Sequence, residues 1–188
     1  IISRTGYTGE LGYELYMPNK KIPELWQKIL KDKRVKPIGL GARDTLRLEM
    51  GYSLYGQDID EQTTPIEAGL KYFISWDKEF VGKAALLKQS QVGLTRRMVY
   101  FMADSRRSPR HNYRILHNAE DIGSVTSGSF SPSLGFGIGM GYVSRQISTG
   151  DEIILKDAVV SITAKVVNKP FYKNGSVKSK EIRHANTR

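Results

Sequence analysis

The chain has 188 residues, a length that can bury a hydrophobic core in one domain or in two small ones. A hydrophobic content of 39% and a mean hydropathy of -0.40 argue against a membrane protein, as does the lack of any apolar run near the roughly 18 residues that a spanning helix needs. The absence of cysteine excludes disulfides and thiolate metal ligands, and it is compatible with the cytoplasmic location that we expect.

The net charge of +10 favours an anionic partner. Three classes of partner fit this charge: nucleic acid, a ligand with a polyanionic tail, and an acidic protein. Surface lysines that only keep a protein dissolved explain any single basic cluster equally well. Charge alone therefore does not choose among these classes.

Near the N-terminus, a glycine-punctuated turn leads into a segment of alternating polarity. In an extended strand, Tyr13, Leu15 and Met17 would share one face. Glu14 and Tyr16 would then lie on the opposite face. The pattern predicts a strand that presents one carboxylate away from its apolar side.

Two helices are predicted after this strand. The first has a proline in the permitted first turn and apolar residues at helical spacing, namely Pro23 with Ile22, Leu25, Trp26, Ile29 and Leu30. The second is entered through Gly41, places Arg43 and Arg47 one turn apart, and is followed by Gly51 in a position that favours glycine. If strand and helix pack together, Glu14 and Arg43 converge near several tyrosines. That combination suits a flat, nitrogen-rich ligand.

The next segment contains a capping box, in which Thr64 caps a short helix, Pro65 opens it and Glu67 reaches back. We expect the chain then to extend through residues 72–76. Another helix is predicted after Gly82. It is followed by a polar stretch that ends at residue 93, where we place a domain boundary.

Beyond residue 93 the pattern changes to short alternating segments separated by Gly, Asn, Asp and Ser. The clearest are residues 97–102, 122–126 and 159–166. Such spacing is typical of a small antiparallel barrel or sandwich. Residues 135–141 have alternating glycines but lack the strand-to-helix context of a dinucleotide-binding loop, so we interpret them as a strand that another backbone approaches closely.

No catalytic residue and no metal site is predicted. His111, His117 and His184 are scattered, and their spacing puts no two of them on one face. A nucleophile elbow of the Gly-x-Ser-x-Gly type is missing, and the serines at 127 and 129 have no convincing histidine partner.

Six motifs carry a more specific signal. They are Gly6-Tyr7-Thr8-Gly9-Glu10, Gly41-Ala42-Arg43-Asp44-Thr45-Leu46-Arg47-Leu48-Glu49, Leu54-Tyr55-Gly56-Gln57-Asp58-Ile59-Asp60-Glu61, Thr63-Thr64-Pro65-Ile66-Glu67, Thr126-Ser127-Gly128-Ser129-Phe130-Ser131-Pro132-Ser133-Leu134 and Gly139-Met140-Gly141-Tyr142-Val143. Together they resemble the T-protein of the glycine cleavage system, a family of tetrahydrofolate-dependent aminomethyltransferases. The resemblance covers nearly the whole chain, as far as residues 170–172, but only the later half of that family's usual length.

The resemblance implies an α+β fold. Residues 1–92 would be the C-terminal part of an α/β folate-binding domain, residues 93–173 a small antiparallel β-barrel and residues 174–188 a basic tail. It also implies transfer of a one-carbon unit from the aminomethyl-lipoyl arm of the acidic H-protein to tetrahydrofolate, with release of ammonia. The family's key aspartate belongs to the earlier half, so we expect this chain alone to be inactive or nearly so.

The same resemblance implies five folate contacts. Glu14 would recognise the pterin edge, while Tyr7 and Tyr52 would line the pocket. Arg43 would hold the glutamyl carboxylate or orient an acidic partner, because a guanidinium binds a carboxylate through two hydrogen bonds. Lys173 occupies the place of a late basic contact.

Each of these roles has a structural alternative. Glu14 could be a solvated strand residue, and Tyr7 could be an aromatic that packs a turn. Arg43 could pair within the chain with Asp44 or Glu49. A solvated tail would explain Lys173.

Two other functions stay open. One is another folate-binding protein of the same superfamily, such as a demethylase or the folate half of a sarcosine or dimethylglycine dehydrogenase. The other is a basic nucleic-acid-binding barrel. It would use Tyr100 and Phe101 as stacking platforms among basic residues, namely Arg96, Arg97, Arg106, Arg107, Arg110, Lys178, Lys180, Arg183 and Arg188. No RNP, helix-turn-helix or zinc signature supports it, so nucleic acid is the less favoured partner.

Overall fold

A computed structural model describes residues 1–178. Residues 179–188 lie outside this range, and with them Lys180, Arg183 and Arg188 of the predicted basic tail. Within the described residues, helices and turns dominate the first half of the chain, and six strands dominate the second. The predicted α+β class with an antiparallel barrel is confirmed.

The first region, residues 1–92, contains three α-helices and two short strands, all within the described residues. The elements are β1 (Ile2–Ser3), β2 (Glu14–Leu15), α1 (Ile22–Leu30), α2 (Leu40–Glu49) and α3 (Lys83–Val92). These helices match the predicted ones. Neither α1 nor α3 contains a buried residue, so the first region has little core of its own.

The alternating strand is shorter than predicted. Only Glu14 and Leu15 are paired, antiparallel to β1, with Ser3 opposite Glu14. A ribbon of this size is not stable in isolation, because it pairs few backbone groups and covers no core. The prediction that one strand face extends from Tyr13 to Met17 is therefore wrong in extent.

Residues 64–76 also differ from the prediction. The capping box forms, since the Glu67 carboxylate accepts the Thr64 N–H at 2.9 Å and the Thr64 hydroxyl accepts the Glu67 N–H at 3.2 Å. Gly69 then adopts φ +68, which ends the turn before a regular helix develops. A 3-10 turn at Lys71–Phe73 replaces the predicted extended run.

The second region is a closed six-stranded antiparallel barrel with the strand order β3-β6-β5-β4-β7-β8. Its strands are β3 (Arg97–Ala103), β4 (Arg114–His117), β5 (Glu120–Ser131), β6 (Phe136–Val143), β7 (Glu152–Lys156) and β8 (Ser161–Val167). Closure removes the exposed edges that an open sheet would leave. The buried core contains Phe101, Ile115, Val143 and Leu155.

The glycines of β6 allow the close backbone approach that the sequence predicts. A Cβ on Gly137 would lie 2.0 Å from the Arg107 carbonyl oxygen. One on Gly141 would lie 2.3 Å from the Ser124 carbonyl oxygen. Any side chain at either position would overlap neighbouring backbone, which confirms a glycine-dependent strand here.

Arg96 joins the first region to the barrel. Its guanidinium lies 3.5 Å from the Glu67 carboxylate and 4.7 Å from the centroid of the Tyr142 ring. The Met98 N–H donates to the Glu67 carbonyl at 2.8 Å. The domain boundary at residue 93 falls between α3 and β3 and stays a prediction.

Among residues 1–178, no helix combines the length and the apolar character that crossing a membrane requires.

Candidate functional site

A cavity of about 560 Å³ lies where the first region meets the segment that follows β8. Apolar and aromatic side chains form most of its wall, including Tyr7, Tyr52 and Phe73. Ser53 and Lys169 bring polar atoms to it. A mostly apolar cavity of this size with few polar groups is typical of a small-molecule site, for which volumes of about 300–1,000 Å³ are usual.

Two tyrosines stack at this cavity. The rings of Tyr7 and Tyr52 lie 5.8 Å apart between centroids with an interplanar angle of 23°. The Arg43 guanidinium lies 4.6 Å from the Tyr7 centroid, a cation–π arrangement. The Tyr7 hydroxyl donates to the Ser53 carbonyl, and burial raises the pKa of Tyr7. The Tyr7 hydroxyl therefore keeps its proton, and the hydrogen bond that it donates holds the ring in place.

The turn that carries Tyr7 packs directly on the end of α2. Gly9 adopts φ +74, and a Cβ there would lie 2.3 Å from the Met50 sulfur. Only glycine combines this backbone conformation with so close an approach. The glycine of the motif is thus explained by the packing that brings Tyr7 to the cavity.

The C-terminal segment closes over the same turn. The Ser176 N–H donates to the Glu10 carboxylate at 3.0 Å, and the Leu11 N–H donates to the Ser176 hydroxyl at 2.8 Å. The Val177 N–H reaches the Gly9 carbonyl at 3.3 Å. Residues from opposite ends of the chain therefore fix the position of the glycine turn.

A buried ion pair positions Tyr52. The Arg47 guanidinium is 0% exposed and donates to Asp58 at 2.8 Å, to Ser127 at 2.8 Å and to the Tyr52 carbonyl at 3.0 Å. Asp44 also accepts from it, at 2.7 Å. Buried charges are tolerated when they are paired and fully hydrogen-bonded, and this network satisfies that condition.

Asp58 connects α2 to the barrel. Besides Arg47, its carboxylate accepts the Leu54 N–H at 2.8 Å, the Ser127 hydroxyl at 2.8 Å and the Thr126 hydroxyl at 2.5 Å. Because Thr126 and Ser127 belong to β5, the loop after α2 is fixed to the barrel wall. The cavity's tyrosine wall therefore rests on the barrel through polar contacts.

Glu49 makes a second buried connection. It is 2% exposed, and its carboxylate accepts the hydroxyls of Ser131 and Ser133. Its carbonyl accepts the Tyr172 N–H at 2.9 Å. The end of α2 thus holds the segment after β8 as well as the loop after β5.

The structure brings together three of the five residues predicted to contact folate: Tyr7 and Tyr52 line the cavity, and Arg43 lies over the Tyr7 ring without lining it. The alternative partners of Arg43 are engaged elsewhere, since Asp44 accepts from Arg47 and Glu49 accepts from serines. This arrangement argues against an ion pair of Arg43 with Asp44 or Glu49.

The other two predicted residues lie apart from the cavity wall. Glu14 is part of β2, and its carboxylate accepts the Thr5 hydroxyl. Lys173 is exposed. Among the described residues, neither contributes to the wall of the cavity.

Sequence reasoning missed three residues that shape the site, Asp58, Ser53 and Lys169. Asp58 lies within a motif, but its spacing from Arg47 gives no sign that the two meet. Lys169 stands only four positions before Lys173, and only the path of the chain after β8 shows which of the two reaches the cavity.

The stacking platforms of the nucleic-acid hypothesis are contradicted. Tyr100 is 9% exposed and Phe101 is 0% exposed, so neither ring can stack on a base. Arg96 is engaged with Glu67 and Tyr142. Lys180, Arg183 and Arg188 are outside the described residues.

Across residues 1–178, no group of three or more His, Asp or Glu side chains is placed to hold a metal ion.

Two family models match the chain. The GCVT N-terminal domain matches residues 1–78, and the glycine cleavage T-protein C-terminal barrel domain matches residues 96–173. The second match falls on the closed barrel and on the segment that carries the cavity's lysine.

Known relatives agree with these matches. An aminomethyltransferase of Halothermothrix orenii is 53% identical over 91% of this chain and 49% of its own length. An aminomethyltransferase of Flavobacterium psychrophilum is 48% identical over 92% of this chain and 49% of its own length. Both names favour the aminomethyltransferase branch over demethylases and dehydrogenases.

A solved structure supports the same assignment. The crystal structure of glycine cleavage system aminomethyltransferase T from Bartonella henselae superposes with a TM-score of 0.86 at 37% identity, over 93% of this chain and 50% of that chain. The chain thus spans about half the length of the relatives that it matches. On the evidence of the two domain matches, these relatives and this structure, the chain belongs to the glycine cleavage T-protein family.

Proposed function

We propose that the protein to which this chain belongs passes a one-carbon unit from an aminomethyl-lipoyl protein to tetrahydrofolate, releasing ammonia, and that this chain supplies part of the folate pocket. The observation that carries the proposal is the stacked Tyr7–Tyr52 pair beneath Arg43 at an apolar cavity. Two motifs that resemble the family supply Tyr7 and Arg43, and Tyr52 lies three positions after the end of the second.

The residues at the cavity fit a reduced folate. Aromatic faces of Tyr7 and Tyr52 offer stacking surface for a pterin ring. The Ser53 hydroxyl is buried and has no hydrogen-bond partner among the described residues, so a polar ring edge would satisfy it. Arg43 offers a guanidinium for a carboxylate.

These residues act by binding and orientation. Tetrahydrofolate, when bound, supplies the nucleophilic nitrogen that accepts the one-carbon unit. Fixing that ring against a rigid wall lowers the entropic cost of reaching the reactive geometry. The apolar wall also excludes water, which strengthens polar contacts within the cavity.

Three further elements complete the proposal. Glu14 accepts hydrogen bonds from the pterin edge, and its support is the likeness of its motif to the family. The lipoyl-bearing H-protein is the partner, which the charge of +10 suits because that protein is acidic. The location is cytoplasmic, in keeping with a chain that lacks cysteine.

Calorimetric titration with folinate, a stable reduced folate, tests the proposal. We expect saturable binding that Tyr7→Ala and Tyr52→Ala each weaken by about tenfold, because each removes one stacking face. Tyr16→Ala is the matched control, since Tyr16 is 54% exposed and outside the cavity wall. Equal affinity in all four proteins would contradict the proposal.

A further inference from the structure

Lys169 is the cation of the cavity wall. Of the described residues that line the cavity, it is the one that carries a charge. Its amine lies 5.0 Å from the centroid of the Tyr100 ring, on the side of the wall formed by the segment after β8. The cavity therefore has tyrosine side chains in one part of its wall and the Lys169 side chain in another.

The stem of Lys169 is held against the end of α2. A Cβ on Gly51 would lie 2.8 Å from the Lys169 Cβ and 3.3 Å from the Tyr100 ring. The glycine leaves just enough room for the lysine stem to lie between helix end and barrel. This packing holds the lysine stem at the cavity wall, and the side chain as a whole is exposed to solvent.

No carboxylate of the described residues forms an ion pair with the Lys169 amine. Desolvation lowers the pKa of Lys169, and the neighbouring Tyr100 hydroxyl is buried without a hydrogen-bond partner. Because the amine is partly desolvated and has no carboxylate partner among the described residues, an anion that reaches it would gain a favourable charge interaction. The wall is thus prepared for a negatively charged group.

We propose that Lys169 binds the carboxylate of an aromatic ligand in this cavity, so that the site selects flat ligands that carry an anionic group. Resting on the proposed function, this assigns one of the two glutamyl carboxylates of folate to Lys169, and Arg43 remains the candidate for the other. Lys173, which the sequence favours for the late basic contact, is exposed as Lys169 is, but it does not line the cavity. It serves as the matched control.

The test compares Lys169→Met, Lys169→Arg and Lys173→Met with the unmodified protein by calorimetric titration. The ligands are folinate, p-aminobenzoyl-glutamate and hydroxymethylpterin, which lacks the carboxylates. We expect Lys169→Met to weaken folinate binding by about tenfold or more, as loss of a hydrogen bond to a charged group predicts. It should leave hydroxymethylpterin binding unchanged.

Lys169→Arg should retain most of the folinate affinity, and Lys173→Met should retain all of it. Circular dichroism of each variant verifies that the fold is unaltered. An equal loss for folinate and hydroxymethylpterin in Lys169→Met would show a structural role and overturn the inference, as would no loss at all.

The ligand set separates this inference from the proposed function. If the protein binds hydroxymethylpterin, and if its affinity for folinate is the same in Lys169→Met as in the unmodified protein, the inference is overturned and the proposed function stands. If p-aminobenzoyl-glutamate binds in a way that depends on Lys169 while neither hydroxymethylpterin nor folinate binds, the proposed function is overturned and the inference stands. A protein that binds none of the three ligands would overturn both.

Discussion

The barrel and the first region of this molecule bury their apolar residues very differently. The barrel strands surround a closed core in which Leu155 and Phe101 are 0% exposed. In residues 1–92, by contrast, Leu40 is 83% exposed and Tyr72 is 93% exposed, and α1 and α3 bury no residue. Most of the exposed large apolar side chains of the described residues belong to the first region.

This difference shows what holds the cavity in place. A closed barrel satisfies its own backbone and fills its own core. The first region contributes two buried stretches, the last turn of α2 and residues 66–68. The helix turn is fixed through the Arg47–Asp58 pair and through Glu49. The tyrosine wall therefore depends on polar contacts to the barrel more than on an apolar core of its own.

The largest effect is expected where these two regions meet. Asp58→Ala should lower the free energy of unfolding by about 3–5 kcal/mol, because it leaves the Arg47 charge buried without its partner. Asp58→Asn should cost less, since the amide still accepts hydrogen bonds. Chemical denaturation measures both. Asp77→Ala, at an exposed site, is the control. A similar loss of unfolding free energy in that variant would contradict a special role for the buried Arg47–Asp58 pair.

The same substitution in each region tests the burial contrast. Leu155→Ala in the barrel should cost about 2–5 kcal/mol, because it opens a cavity in a closed core. Leu40→Ala in the first region should change the free energy of unfolding by no more than about 0.5 kcal/mol. Urea titrations of the two variants should differ clearly in midpoint. Equal costs would mean that Leu40 is covered in solution.

A matched pair of glycine substitutions gives a smaller effect. Gly137→Ala should cost about 1–3 kcal/mol, because its Cβ would overlap the Arg107 carbonyl. At Gly12, a Cβ would meet no atom within 4 Å, so Gly12→Ala should lie within about 0.5 kcal/mol of the unmodified protein. Thermal unfolding followed by circular dichroism compares the two. A barrel that accepts Gly137→Ala without loss would contradict the register of β6.

The smallest effect concerns pH. Desolvation lowers the pKa of Lys169 from the ordinary 10.5, so its positive charge is lost at a lower pH than that of a surface lysine. Burial raises the pKa of Tyr7, which lines the wall, and of Tyr100, which lies beside the Lys169 amine, so both remain neutral over that range. Folinate affinity should therefore fall as pH rises through the pKa of Lys169. In Lys169→Arg, folinate affinity should not change over the same pH range. A parallel fall in Lys169→Arg would assign the titration to another group.

Much of the fold is predictable from the sequence, because local patterns determine it. The apolar spacing of α1 and the glycine after α2 indicate helices, and alternation with regular turn residues indicates a barrel. The predicted strand around Glu14 is longer than the observed one, since alternation alone does not reveal whether a neighbouring strand is present to pair with it. The prediction of an extended run at residues 72–76 is wrong for a similar reason, because Gly69 and the turn before it determine the direction of the chain.

The candidate site was less predictable. Tyr7 and Arg43 belong to motifs and Tyr52 lies close to one, and motif likeness carries no distances. The Arg47–Asp58 pair and the approach of Lys169 to Gly51 join residues far apart in the chain, and no periodic pattern encodes them. Lys169 lines the cavity and Lys173 does not, and no local pattern in the sequence distinguishes these two lysines.

Amide hydrogen exchange in the presence and absence of folinate tests the central claim that the ligand binds between the end of α2 and the segment after β8. We predict added protection in peptides that contain residues 6–7, 50–53 and 169–171, with the strands β4 and β7 unchanged. Protection confined to β4 and β7, or no protection at any of the three cavity segments at saturating folinate, would contradict the account.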